Sequence, residues 1–303
     1  CFVQYNSFGN IGWLDHLDLN IKKKIKIYFG DLRDLETIKN SAKNCDAIVH
    51  LASLIGIPYS YIAAKSYIQT NVIGTMNILQ TCLDLKIKKL IHTSTSEVYG
   101  TAQYTPMDEN HPIVGQSPYS ATKIAADNLA LSYYYSFNLP VTILRPFNTF
   151  GPRQSLRAII PSIISQIINN KKEIKLGSTT PSRDFNYVED IANAYYLALL
   201  NDKSVGEIIN IGSGFEITIK ELIKEISILM NKQISVSIDN KRKRPSKSEV
   251  YQLIANNKKA KKILSWQPKY IGKKGLLLGL KKTIKWYEKN NNININKTSI
   301  YNI

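Results

Sequence analysis

Three features predict an α/β protein built on a parallel sheet. Short apolar runs alternate with long helical patterns, no internal repeat or Gly/Ser/Pro-rich linker interrupts them, and polar residues cluster just after the runs. Asp46-Ala-Ile-Val-His-Leu-Ala52, Lys89-Leu-Ile-His-Thr-Ser94 and Pro140-Val-Thr-Ile-Leu-Arg145 read as buried strands. Residues 68–85 and 118–137 between them are long and periodic enough for helices. Such alternation covers a parallel sheet on both faces, and ligands gather beyond the carboxyl ends of its strands. After about residue 150 the pattern is mixed: helices over 158–169 and 190–200, and strands over 173–176 and 207–211. A further helix is capped by Thr218 and runs to Met230. This second half reads as a smaller substrate lobe, and the asparagine-rich stretch 290–303 as a disordered tail.

Composition narrows the class. With 44% hydrophobic and 21% charged residues among 303, the chain carries too much apolar material for disorder. No apolar stretch approaches the roughly 18 residues of a membrane span, so a soluble protein is expected. Forty basic against 23 acidic residues give +17, which invites a nucleic-acid reading. The lysines, however, are spread along the chain among asparagines and isoleucines, which favours a solvated surface; the tightest cluster is Lys241-Arg242-Lys243-Arg244. Three cysteines, Cys1, Cys45 and Cys82, lack disulfide or zinc spacing, so reduced thiols in a cytoplasmic protein are expected. Residue 1 is cysteine and no signal-peptide pattern follows, so the chain reads as a fragment without its start.

Chemistry concentrates at two places. Pro118-Tyr-Ser-Ala-Thr-Lys123 opens a helix, and its Tyr119 and Lys123, four apart, share a face. An ammonium near a phenol favours the phenolate, which makes tyrosine a usable base. Alone, this spacing fits any amphipathic helix. Its context is a strand ending in Ile91-His-Thr-Ser-Thr-Ser-Glu97-Val-Tyr-Gly100, which supplies hydroxyls and a carboxylate.

With these residues the sequence resembles the extended short-chain dehydrogenase/reductase family, specifically its nucleotide-sugar epimerases and dehydratases. Further pieces are His50-Leu-Ala-Ser53, Asn71-Val-Ile-Gly-Thr75, Arg145-Pro-Phe-Asn-Thr-Phe-Gly-Pro-Arg153, Arg183-Asp-Phe-x-Tyr-Val-x-Asp190 and Arg244-Pro-x-x-Ser-Glu-Val250. Leu54-Ile-Gly-Ile-Pro-Tyr-Ser60 and Thr101-Ala-Gln-Tyr104 resemble the NAD-dependent 4,6-dehydratases of nucleotide-activated N-acetylglucosamine in legionaminic-acid-type pathways. The resemblance implies a Rossmann-type doubly wound sheet in residues 1–150, to which 180–215 return, and a mostly substrate-binding lobe over 151–289. It also implies a first strand and a Gly-x-x-Gly-x-x-Gly loop for the cofactor pyrophosphate. Neither is found: the chain starts within the family's second strand, at Cys1-Phe-Val-Gln-Tyr5.

The resemblance further implies a bound NAD. Asp31 would accept from the adenine amino group, Leu32 would lie beside the ring, Ala52 and Ser53 would line the cofactor, and Asn71 would buttress the strand ends. Lys123 would hydrogen-bond the nicotinamide ribose. His50 reads as a core histidine. Asn148, Arg153, Arg183 and Arg244 match positions near the substrate nucleotide, and paired guanidinium donors suit a diphosphate. Salt bridges from these arginines to Asp184 or Glu249 are the structural alternative. In the Lys241–Arg244 cluster, one arginine is expected to face inward and the other charges to face water.

The implied reaction is a 4,6-dehydration of UDP- or GDP-N-acetylglucosamine, or a related hexose, by a homodimer without nucleic-acid or membrane partners. Tyr119 would take the O4 proton, with Thr95 holding that centre. Glu97 would take the C5 proton and then protonate the departing C6 hydroxyl, because Ser96 replaces the stronger acid many relatives carry. A 4-epimerase or a glucuronate decarboxylase competes on the same scaffold, and a non-catalytic RNA-associated protein competes from another class.

Overall fold

Apolar runs bounded by turn residues become strands, and periodic runs become the helices that cover them. The computed structural model describes residues 1–290; of the expected tail over 290–303, all but its first residue lies outside them. Along the chain, β1 (Phe2–Gln4), α1 (Leu19–Lys22), β2 (Tyr28–Gly30), α2 (Leu35–Ala42) and β3 (Ala47–His50) come first. Then follow α3 (Ile57–Ile62), α4 (Ala64–Tyr67), a π-helical turn (Ile68–Ile73) and α5 (Gly74–Asp84). The single helix expected over 68–85 is therefore widened in its first part, where Asn71 is buried. Next come β4 (Lys89–Thr93), a 3₁₀ turn (Ser96–Tyr99), α6 (Pro118–Phe137), β5 (Val141–Pro146), β6 (Thr149–Phe150) and α7 (Ile159–Ile168). The rest comprises β7 (Glu173–Leu176), β8 (Ser182–Arg183), β9 (Asn186–Tyr187), α8 (Val188–Leu200), β10 (Ile208–Ile211) and β11 (Ile217–Thr218). It ends with α9 (Ile219–Leu229), β12 (Ser235–Ile238), β13 (Gln252–Leu253), α10 (Lys258–Leu264) and α11 (Gly272–Lys289).

The central sheet is parallel, in the order β10-β5-β4-β3, and β1 and β2 form a separate parallel pair. Alternation along a strand sends neighbours to opposite faces. Leu90 and Ile143 pack with Ile78, Leu79 and Ala130 of α5 and α6. Ile91 and Leu144 pack on the other face with Ile191, Ala194 and the fully buried Trp266, beside α8 and α10. Helices thus cover both faces, which is why these strands read as unbroken apolar runs. This is the Rossmann-type α/β architecture expected. A second core joins α7, α9 and α11 to β7 through Ile163, Ile174, Leu222 and Leu280. Its small sheets are mixed: β8 runs antiparallel to β11 and parallel to β13, and β12 is parallel to β7.

Candidate active site

The register of α6 is fixed at its start. The Ser117 hydroxyl accepts from the Ser120 amide (3.1 Å), the Ser120 hydroxyl accepts from the Ser117 amide (3.0 Å), and proline occupies the first turn. Tyr119, Lys123 and Asp127 then fall on one buried stripe. Facing them, β4 ends and the Thr95 hydroxyl accepts from the Glu97 amide (3.2 Å), capping the 3₁₀ turn that carries Ser96 and Glu97.

These elements wall a cleft of about 750 Å³. Thr95, Ser96, Glu97, Tyr119, Asn148, Arg153, Arg183 and Arg244 all line it. The phenol and carboxylate named from sequence thus share one cavity with every residue named for the nucleotide. Lys123 stands behind it, with its ammonium donating to the Thr93 carbonyl at 2.5 Å. Of the cofactor candidates, Tyr119 lines the cleft and the others lie outside it. Asp31 and Leu32 follow β2, Ala52 and Ser53 follow β3, and Asn71 is buried between. The Asn71 side chain accepts from the Ser53 hydroxyl and the Leu54 amide and donates to Leu54 O and Thr122 Oγ1, fastening the loop after β3 to the helices. Leu32 is buried against Ile38 and Ile78, and a Cβ at Gly74 would come within 2.9 Å of it. Asp31 already accepts two guanidinium bonds from Arg33 (2.9 and 2.6 Å), so an adenine amino group there would share that carboxylate. His50 is buried, with Nε2 3.1 Å from Thr75 Oγ1.

The electrostatics correct one expectation. Burial raises the Tyr119 phenol above its ordinary range, and the charges of Glu97 and Asp127 push the same way, while a hydrogen bond with Thr95 lowers it. The Lys123 ammonium donates to the Thr93 carbonyl, and burial outweighs any pull of the phenol toward neutrality. Burial lowers Lys123 itself to about 8, against the raising effect of Asp127. Arg244 Nη1 reaches Glu97 Oε2 at 3.4 Å, and Arg183 Nη2 stands 3.8 Å from Glu249 Oε1. Among the described residues Asp184 makes no such pair: it accepts from Ser213, Gly214 and Ala255 and ties loops together.

Other residues escaped the sequence reading. Arg157 and Arg242 also line the cleft, so two arginines of the 241–244 cluster face inward; Arg242 reaches Asp239 (3.2 Å) and Ser162 (3.3 Å). Asp127, His92 and Arg145 form a buried cluster beneath Lys123. Asp127 stands four residues after Lys123, a spacing that places both on one helix face without marking that face as buried.

A family model described as GDP-mannose 4,6 dehydratase matches residues 1–276. A dTDP-D-glucose 4,6-dehydratase of Dictyostelium discoideum is 36% identical over 66% of the chain, and the match spans about half (49%) of that relative's length. Among solved structures, a dTDP-glucose 4,6-dehydratase from Streptomyces venezuelae with NAD bound is 27% identical, with TM-score 0.81, covering 90% of this chain and 83% of that one. A UDP-N-acetylglucosamine 4-epimerase from Methanobrevibacter ruminantium is 29% identical, with TM-score 0.84, covering 95% and 90%. On the sequence match and the shared fold, the chain belongs to the GDP-mannose 4,6-dehydratase family, the short-chain dehydrogenase/reductase group of nucleotide-sugar 4,6-dehydratases and epimerases.

Proposed function

We propose that the chain is an NAD-dependent nucleotide-sugar 4,6-dehydratase acting on UDP- or GDP-N-acetylglucosamine, or a related hexose, to give a 4-keto-6-deoxy sugar for surface-glycan synthesis. The observation that carries this reading is Glu97: a carboxylate, buried but for a cleft-lining edge, beside Thr95 and Tyr119. Epimerisation at C4 has no use for a base at C5.

The donor set fits a dinucleotide along the carboxyl ends of β2, β3 and β4. Asp31 supplies an acceptor, Lys123 keeps donors beyond its bond to Thr93, the Ser53 hydroxyl oxygen can accept, and the exposed Leu51 supplies apolar surface. When bound, NAD supplies a temporary acceptor for the C4 hydride, returned at C6. Tyr119 takes the O4 proton, with Thr95 holding the phenolic oxygen in place. Glu97 takes the C5 proton and delivers it to the C6 hydroxyl as that leaves as water. When the hydride returns at C6, a proton, balanced by the one Tyr119 took from O4, is restored at C5. Ser96 is far too weak an acid to protonate the leaving hydroxyl and orients the group instead. Arg183 and Arg244 offer guanidinium groups to the diphosphate, joined by Arg153 and by the amide NH2 of Asn148. The buried Asn148 Oδ1, without a hydrogen-bond partner among the described residues, is left to accept from a substrate hydroxyl. Reduced Cys45 and Cys82 fit a cytoplasmic location, and exposed Ile68, Ile73 and Met76 offer apolar surface for a homodimer.

The test is incubation with UDP- and GDP-N-acetylglucosamine followed by mass spectrometry. A product lighter by one water is expected. An isomer of unchanged mass would replace the reading with epimerisation, and carbon dioxide release from a glucuronate substrate would replace it with decarboxylation.

A further inference from the structure

Beneath the reacting groups lies a charged cluster that the reaction as described does not use. Asp127 is 2% exposed and sits one turn beyond Lys123 on α6. Its Oδ2 accepts from Ser94 Oγ (2.7 Å) and from Arg145 Nε and Nη2 (3.1 and 3.0 Å). Among the described residues its Oδ1 has no hydrogen-bond partner, and it faces His92 Nε2 at 3.4 Å. Arg145 therefore pairs with this carboxylate directly, whereas Lys123, one turn away on the same face, feels its charge without touching it. Arginine keeps its proton in proteins, so a proton lost from this cluster leaves from Lys123. The other titratable groups around it are His50 on β3, His92 on β4, Tyr99 in the turn after β4, whose hydroxyl accepts from Arg145 Nη1 at 3.0 Å, Tyr119 on α6 and Tyr195 on α8, whose hydroxyl donates to Thr93 Oγ1 at 3.0 Å. Glu97, in the turn after β4, acts on Tyr119. Burial holds both imidazoles below their ordinary range, which leaves them neutral near pH 7.

We propose that Asp127 is a positioning residue of the site, holding Lys123 from one helical turn below and, through Ser94, the end of β4 that carries Thr95 and Glu97. Its catalytic meaning rests on the dehydratase reading; its geometry does not. Without the carboxylate, Lys123 faces Arg145 and two neutral imidazoles with nothing to offset its burial, and it gives up its proton more readily. Ser94 still finds an acceptor in an asparagine, so Asp127→Asn changes the charge and little else in the strand end.

The test is a titration of lysine side chains by NMR in ¹³C-labelled protein, without substrate. One resonance, missing from Lys123→Met, is expected to titrate near pH 8. In Asp127→Asn its midpoint falls by about one pH unit. An unmoved midpoint in folded Asp127→Asn overturns the proposal. Because that variant leaves Arg145 buried without its anion, Asp127→Asn combined with Arg145→Leu is measured as well. There the carboxylate and its neighbouring cation are lost together, so the fall is smaller than in Asp127→Asn alone, and a double-variant midpoint below that of the single variant overturns the proposal. The basic limb of the turnover profile should shift in the same direction. Since the titration needs no turnover, failure to dehydrate any sugar would sink the proposed reaction and leave the Asp127 measurement to be judged by itself.

Discussion

At the scale of single residues, the site separates two proton-handling groups by environment. Tyr119 is buried and raised, whereas the side chain of Glu97 keeps 11% of its surface exposed and an arginine 3.4 Å away. Each makes a distinct prediction. Tyr119→Phe removes the group that takes the O4 proton, so mixing enzyme, cofactor and substrate should yield no reduced-cofactor absorbance; undiminished absorbance would contradict the assignment. Glu97→Gln keeps the shape but loses the base, and turnover should fall by about 10²–10⁴-fold while substrate binding persists. A Gln variant that dehydrates at the normal rate would remove Glu97 from the reaction. Asp127 shows where reading the sequence stops. An aspartate four residues after a lysine on a helix reads as a solvent-exposed pair. Only the sheet packed against α6 buries it beneath His92 and Arg145, and no local pattern records that packing.

At the scale of elements, caps and apolar periods made most boundaries legible. The start of α6 at Pro118 and the start of α9 after Thr218 follow from residues that satisfy the first free amides of a helix. Thr218 and Glu221 form a reciprocal box, each side chain meeting the other's backbone amide (3.2 and 3.0 Å). Thr218→Ala should therefore cost about 1 kcal/mol, read from the urea midpoint at unchanged slope; an unchanged midpoint would show that the box adds nothing here. The two-residue strands β6, β8, β9, β11 and β13 left no signal, because two residues have no period. The π-helical turn was equally silent: it lies inside a continuous helical pattern, and only the inward side chain of Asn71, bonded to Ser53, Leu54 and Thr122, marks it. Arg242 was misjudged for a related reason. Its direction is set by Asp239 and by Ser162 on α7, far away in sequence.

At the scale of the whole molecule, burying the ammonium of Lys123 makes stability depend on pH in a defined direction. The folded chain holds that proton with a pKa of about 8, against an ordinary value of 10.5. Between those values the unfolded chain binds more protons than the folded one, so this residue's contribution to stability rises with pH. Below about pH 8 both states are protonated and its unfavourable contribution is full, roughly 3 kcal/mol by the size of the shift. Above 10.5 both states are neutral and the contribution is gone. Other groups titrate nearby. The Cys82 thiol, pushed up to about 12 by burial, favours the unfolded state as pH rises past its ordinary range. Its effect is common to the natural protein and to Lys123→Met, so the difference between the two isolates the lysine. Urea unfolding of both at pH 7 and pH 10 should show the natural protein gaining on the variant by up to about 3 kcal/mol. The absolute offset at pH 7 also contains the lost bond to Thr93 and the lost partner of Asp127, so the change between the two pH values is the informative quantity. Equal differences at pH 7 and pH 10 would mean that Lys123 keeps an ordinary proton affinity inside the fold. The site would then present a fixed positive charge behind Tyr119, with no group there that exchanges a proton near pH 8.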